Sequence, residues 1–248
     1  MDLFQGDCLE IMKKIPDKSI DMILCDLPYG TTKCKWDIII PFDKLWEQYK
    51  RIIKDRGTIA LFGCEPFSSL LRISNLKYYR YETIWDKTRG MDPMNAKHRP
   101  MRSHENISIF YKKKGTYNPQ MIPLDKPDVR KNNKTTKSDL WNSNGGIITS
   151  KIYTERYPLS IIKCTNSNQK NKLHPTQKPT DILENLIKTY TNEGETVLDN
   201  CMGSGSTGIA CLNTNRRFIG IEKDEKYFNI AKNRIEEAFN KASFFNAQ

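Results

Sequence analysis

Asp26-Leu27-Pro28-Tyr29 directly follows an apolar run, Asp21–Cys25, that reads as a buried strand. In open α/β sheets ligands bind outside the carboxyl ends of strands, which is where this tetrapeptide falls. Each of its members has chemistry to offer there. The Asp26 carboxylate can accept a hydrogen from an amino group and the Leu27 carbonyl can accept a second. Pro28 stiffens the turn. Tyr29 presents a flat face on which a base can stack, an interaction worth about 1–3 kcal/mol. The bland alternative is an ordinary proline-containing turn with a partly buried tyrosine.

A second stretch, Val197-Leu198-Asp199-Asn200-Cys201-Met202-Gly203-Ser204-Gly205-Ser206-Thr207-Gly208, has the form of a strand, a glycine-rich turn and a helix start. Glycines let backbone pass close beneath a ligand. Phe218-Ile219-Gly220-Ile221-Glu222 then reads as another strand ending in a carboxylate, suited to both ribose hydroxyls of a nucleoside cofactor. Gly203-x-Gly205-x-x-Gly208 also matches the dinucleotide fingerprint, a weak signal alone. Two features favour S-adenosylmethionine instead. Only 26 residues follow Glu222, too few for a nicotinamide half and a substrate domain in the usual order. Asp199, just before the glycines, suits a methionine ammonium or sulfonium and would repel a pyrophosphate. A tight strand–helix turn without ligand is the plain alternative.

These residues need a scaffold. Apolar runs at Asp21–Cys25, Thr58–Gly63, Tyr79–Trp85 and Asn106–Tyr111 alternate with amphipathic patterns at Leu9–Lys14, Phe42–Lys54 and Pro66–Asn75. Lys87–His104 reads as a loop. The rhythm returns with helices at Thr180–Thr191, Ser206–Asn213 and Glu225–Phe239 and strands at Thr196–Asp199 and Phe218–Glu222. Such alternation implies an α/β fold with a mostly parallel sheet and helices on both faces. Between lies a stretch without periodicity, read as a recognition insertion or a surface region. The expected division is 1–114, an insertion at 115–172, and 173–248.

The net charge of +11 is concentrated: residues 112–178 carry 14 basic against 4 acidic side chains. A confined basic patch is a candidate polyanion surface, with a solvated lysine-rich surface as the alternative. Seven cysteines (8, 25, 34, 64, 164, 201 and 211) form no Cys-x-x-Cys pair, and there are only three histidines. A metal site is therefore not expected, and the odd count suits a reducing cytoplasm. No signal peptide or membrane span is read.

Taken together in this order, Asp26-Leu27-Pro28-Tyr29 and Asp199-x-x-x-Gly203-Ser-Gly205-Ser-Thr207 resemble the permuted, beta-class DNA amino-methyltransferases. Gly6-Asp7-Cys8 and His174-Pro-Thr-Gln-Lys-Pro179 add to the resemblance, which covers roughly residues 3–114 and 173–240. It implies a Rossmann-like methyltransferase fold with a circularly permuted, seven-stranded sheet. It also implies methyl transfer from S-adenosylmethionine to adenine N6 in DNA, through a flipped base. Asp26, Leu27, Pro28 and Tyr29 become catalytic. Asp7, Cys8, Lys178, Asp199, Cys201, Gly203, Ser204, Gly205, Ser206, Thr207 and Glu222 become cofactor-binding. Arg89, Lys97, Arg99, Arg102, Lys131 and Lys134 are expected to contact DNA. A homodimer and a cognate restriction endonuclease are implied by the family alone. Two departures stand out: Leu27 replaces the first of two prolines, and Cys201 replaces an aromatic in the cofactor loop. The acid at position 26 resembles the adenine branch, with cytosine N4 as the alternative. Transfer to an RNA base or a protein amide, or a non-catalytic nucleic-acid-binding protein, are further readings.

Overall fold

The structure, a computed structural model, describes residues 1–31, 37–131, 150–165 and 177–246. In chain order the elements are β1 (Asp2–Gln5), α1 (Cys8–Met12), β2 (Ile20–Cys25), α2 (Phe42–Ile52), β3 (Ile53–Gly63), α3 (Phe67–Ser74) and β4 (Tyr79–Met91). They continue with β5 (Arg102–Phe110), β6 (Ile122–Lys131), β7 (Ser150–Arg156), β8 (Ile161–Lys163), α4 (Thr180–Tyr190), β9 (Thr196–Asp199), α5 (Ser206–Asn213), β10 (Arg217–Glu222) and α6 (Glu225–Asn246).

Continuous apolar runs produce a sheet buried on both sides, because successive side chains point to opposite faces. Ile23 and Cys25 of β2, with Ile59 and Leu61 of β3, pack against α1, α2 and α3. Their neighbours Met22, Leu24, Ala60 and Phe62 turn to the other face, against α4, α5 and α6. The strand order is β1-β10-β9-β2-β3-β5-β4-β8. The pairings β1–β10, β10–β9, β9–β2, β2–β3 and β4–β8 are parallel; β5 runs antiparallel to both β3 and β4. This is the mostly parallel, permuted α/β sheet that the motifs imply. β2 and β9, 170 residues apart in sequence, are adjacent (Met22↔Val197, Ile23↔Leu198). Asp21 secures their start by accepting the Thr196 N–H at 3.0 Å.

Two expectations need correction. Among the described residues the sheet has eight strands, not seven, because the three-residue β8 adds beside β4. Lys87–His104, expected as a loop throughout, is strand at both ends: β4 runs on to Met91, which pairs with Arg102, and the loop is confined to residues 92–101 with a 3-10 turn at Pro93–Asn95. These extensions are polar, so hydropathy does not mark them. Backbone pairing between the two arms of the hairpin makes them strand.

The chain forms two compact units, Met1–Asn118 with Ser160–Gln248, and Pro119–Leu159. The smaller lies inside the segment expected as a recognition insertion. It holds the antiparallel pair β6–β7 and exposes Ile152, Tyr157 and Leu159. Among the described residues no helix is long and apolar enough to cross a membrane, and no three His, Cys, Asp or Glu are grouped to hold a metal.

Candidate active site

The turns leaving β2 and β9 emerge side by side at the carboxyl edge of the sheet, and both line one cavity of about 760 Å³. Asp26, Leu27, Pro28 and Tyr29 lie on its wall together with Asp7, Cys8, Lys178, Asp199, Cys201, Gly203, Ser204, Ser206, Thr207 and Glu222. Of the expected cofactor residues only Gly205 does not line it. A Cβ at Gly205 would meet Ala231 and Ile235 of α6 at 3.0–3.2 Å. Its backbone is left-handed, at φ 79°, where it caps α5. Gly205 thus serves the turn and its helix packing.

The glycine-loop end of the cavity is rich in acceptors. Glu222 receives the Gly203 N–H at one carboxylate oxygen and the Asp224 N–H at the other, each at 2.8 Å. A carboxylate oxygen has room for a second donor, so both remain able to take ribose hydroxyls. Burial raises the Glu222 carboxyl above its ordinary range despite those two N–H donors. Asp199 is 4% exposed. It accepts the Thr207 hydroxyl at 2.6 Å and the Cys201 N–H at 3.1 Å. Burial pushes it up to about 6, against the pull of those bonds. Such a half-compensated acid suits a cationic group. Asp7 caps α1 through the Leu9 N–H at 3.0 Å and faces Lys223 at 3.2 Å. The Ser206 hydroxyl, at the first turn of α5, is buried with no hydrogen-bond partner among the described residues. Acceptors for hydroxyls and an ammonium beside an unsatisfied hydroxyl fit S-adenosylmethionine and not a pyrophosphate.

At the other end, Tyr29 donates its hydroxyl to Asp26 Oδ1 at 2.5 Å, and the Lys178 ammonium contacts Asp26 Oδ2 at 2.5 Å. Lys178, expected among the cofactor contacts, lines the cavity with its ammonium at the Asp26 carboxylate. Its ammonium also lies 3.2 Å from Glu105, and Glu105 accepts from Lys87 at 2.5 Å. Burial, then Glu105, raises the Asp26 carboxyl, and Lys178 and Tyr29 oppose them. For Glu105 burial pushes the same way, but the two ammoniums outweigh it and hold the acid below its ordinary range. Tyr29 packs at 4.9 Å between ring centroids against Phe67. The Leu27 side chain is buried in the core, so a leucine fits where the family has proline.

Sequence reading missed several residues. Lys87 and Glu105 sit on β4 and β5, far from either motif. Asp37 accepts the N–H groups of Gly30 and Thr31 at 2.8 and 2.9 Å and so fixes the turn after Tyr29. Tyr49 of α2 donates to Asn200 at 2.5 Å, and Arg234 of α6 donates to the Ser204 carbonyl, so both helices pin the glycine loop. Cys8, Cys25 and Cys201 cluster behind it, and their thiols are all pushed up. The raised thiols disfavour the thiolate, the reactive form.

Among the expected DNA contacts, Arg99 and Arg102 line a smaller cleft with Thr31, Lys87, Met91, Asp92 and Glu105, four of which also line the large cavity. Arg99 is paired with Asp92 at 2.6 Å. Arg89 and Lys97 are exposed. Lys131 ends β6. Lys134 and His174–Thr176 lie outside the described residues.

A family model described as DNA methylase matches residues 20–233. The chain is 29% identical to the Type II methyltransferase M.HpaI of Haemophilus parainfluenzae, over 96% of this chain and 75% of that protein. It is 27% identical to the Type II methyltransferase M2.MboI of Moraxella bovis, over 95% of this chain and 88% of that one. Among solved structures, the M1.HpyAVI–SAM complex superposes with a TM-score of 0.64 at 25% identity, covering 94% of this chain and 98% of that chain. The cytosine-N4-specific PvuII DNA methyltransferase shares the fold with a TM-score of 0.68 at 15% identity, covering 96% and 91%.

Proposed function

Since the chain belongs to the DNA methylase family, whose members are S-adenosylmethionine-dependent amino-methyltransferases of the N6-adenine/N4-cytosine type, we propose that it methylates N6 of adenine in DNA, with the target base flipped out of the helix. One observation carries the reading: Asp26 and the Asp199–Thr207 loop line the same cavity, although 173 positions separate Asp26 from Asp199. The preference for adenine rests on the acid at position 26.

An exocyclic amino nitrogen is a poor nucleophile because its lone pair is delocalised into the ring. Asp26 and the Leu27 carbonyl accept its two hydrogens, which favours a tetrahedral nitrogen and frees the lone pair. Bound S-adenosylmethionine supplies an electrophilic methyl carbon on sulfur, so a C–N bond forms as the C–S bond breaks. Asp26 then takes the proton that the methylated nitrogen releases. Positioning and electrostatics carry such a transfer, with no covalent enzyme intermediate. Flipping costs a few kcal/mol of pairing and stacking, which Tyr29 offsets in part. Arg89, Lys97, Arg99, Arg102 and the basic segment 115–172, with Lys131 and Lys134, hold the phosphates, and that segment reads the target. The Type II relatives also support a cognate restriction endonuclease as partner.

The test is to incubate the purified protein with random-sequence duplex DNA and labelled cofactor, then map the modified bases and weigh the nucleosides. N6-methyladenine at a short repeated site is expected. N4-methylcytosine would overturn the choice of base, and unmodified DNA the whole reading.

A further inference from the structure

Four charged side chains from distant parts of the chain form a row behind the catalytic turn. Lys87 on β4 donates to Glu105 on β5 at 2.5 Å, Glu105 faces Lys178 at 3.2 Å, and Lys178 meets Asp26 at 2.5 Å. Lys87, Glu105 and Lys178 are 9–12% exposed at their side chains, while Asp26 is 21% exposed, at the cavity end. The Lys178 ammonium also lies over the Phe62 and Trp85 rings, 5.1 and 5.9 Å from their centroids, so apolar surface walls it in.

We propose that Lys178 is the positioning residue for Asp26: held by Glu105, which Lys87 anchors in turn, it keeps Asp26 ionised at the reacting amino group. The assignment rests on the reading of Asp26 as the acid that engages that group. Burying an acid favours its neutral form, and a neutral carboxyl would present an O–H donor where the amino group needs an acceptor. The groups facing Asp26 are Lys178, Glu105, Tyr29, Cys25 and Asp199. Of these only Lys178 brings positive charge. A lone lysine in such surroundings would itself tend to lose its proton. Glu105 provides the second acid that keeps it charged. Two acids and two bases then cancel, so the row needs no counter-ion from solvent.

Asp26 can be followed without any turnover. In protein labelled with 13C at aspartate carboxyls, the Asp26 resonance is the one that Asp26→Asn removes. Lys178→Met is expected to move its titration midpoint up by roughly 1–3 pH units, whereas Lys178→Arg leaves it near the wild-type value. Adding Glu105→Gln to Lys178→Met should bring the midpoint partly back down, because the remaining acid repels Asp26. Should Lys178→Met fail to fold, the wild-type protein still decides. The 15N resonance of the Lys178 ammonium must shift at the same midpoint as the Asp26 carboxyl and lose that step in Asp26→Asn. An Asp26 midpoint indifferent to Lys178→Met, or an ammonium resonance blind to Asp26, overturns the proposal. Where the wild type methylates DNA, the acid limb of the single-turnover rate must follow the same shifts. Absence of methylation by the wild type would count against the functional reading and leave the titration result standing.

Discussion

Replacing Asp26 with asparagine keeps the shape of the side chain and removes its charge. If the carboxylate draws hydrogens from the amino group, Asp26→Asn should cost about 10²–10³-fold in the single-turnover rate, the scale of losing one oriented electrostatic group. Cofactor affinity, measured by calorimetry, should survive; near-normal turnover would remove Asp26 from the chemistry. Asp199 makes a second prediction. Burial holds it at about 6. An acid raised in the folded state binds its proton more tightly there than when unfolded. Its contribution to stability therefore falls as pH rises from its ordinary value to about 6, then levels off. A cationic ligand favours the ionised form, so cofactor affinity should climb between pH 5 and pH 7, and Asp199→Asn should flatten the climb. A flat wild-type profile would separate Asp199 from the ammonium. At this scale, legibility followed local motif. Asp26, Asp199 and Glu222 were readable because each ends or directly follows a strand, beside a turn with its own signature. Glu105, Lys87, Asp37 and Tyr49 were not, because their roles exist only through partners that the fold delivers. The same holds for Lys178, whose ammonium meets an acid 152 positions away.

At the level of elements, helix packing constrains the glycine loop. Gly205 lies at φ 79° with α6 against its Cα. Gly205→Ala should lose about 1–2 kcal/mol from the left-handed backbone alone, a melting-point drop of roughly 2–8 °C for a chain of this size. Any fall in cofactor affinity should come with that loss of stability. An unchanged melting curve would show that the turn can leave the left-handed conformation at no cost and that α6 yields to the added methyl group. The elements that sequence pattern revealed are the apolar strands β2, β3, β9 and β10, the first half of β4 and the second half of β5, with the helices that cover them. β1 is four mostly exposed residues, and β8 only three. Strands so short and exposed are held by pairing with a neighbour, which no periodicity records. The far ends of β4 and β5 escaped notice for the same reason.

For the molecule as a whole, charge is the property that matters, because a +11 chain meets a polyanion. Phosphate contacts release condensed counterions, so log affinity should fall linearly with log salt, with a slope near −0.9 for each phosphate neutralised. Arg99 and Arg102 line a cleft that shares Thr31, Lys87, Met91 and Glu105 with the large cavity, and Lys97 lies just before them in the chain. Glutamine at all three positions should weaken duplex binding to a similar degree on any sequence. It should also reduce the slope by about one for each phosphate that is no longer neutralised, while leaving cofactor affinity unchanged. Anisotropy titrations of a labelled duplex between roughly 50 and 200 mM salt cover the range in which the effect is large. Base-reading side chains behave differently, since removing one relaxes sequence preference and leaves the slope alone. If the triple variant keeps the wild-type slope, the strand does not pass over this cleft. The phosphates would then have to be held by other basic residues, foremost the 13 between 112 and 172.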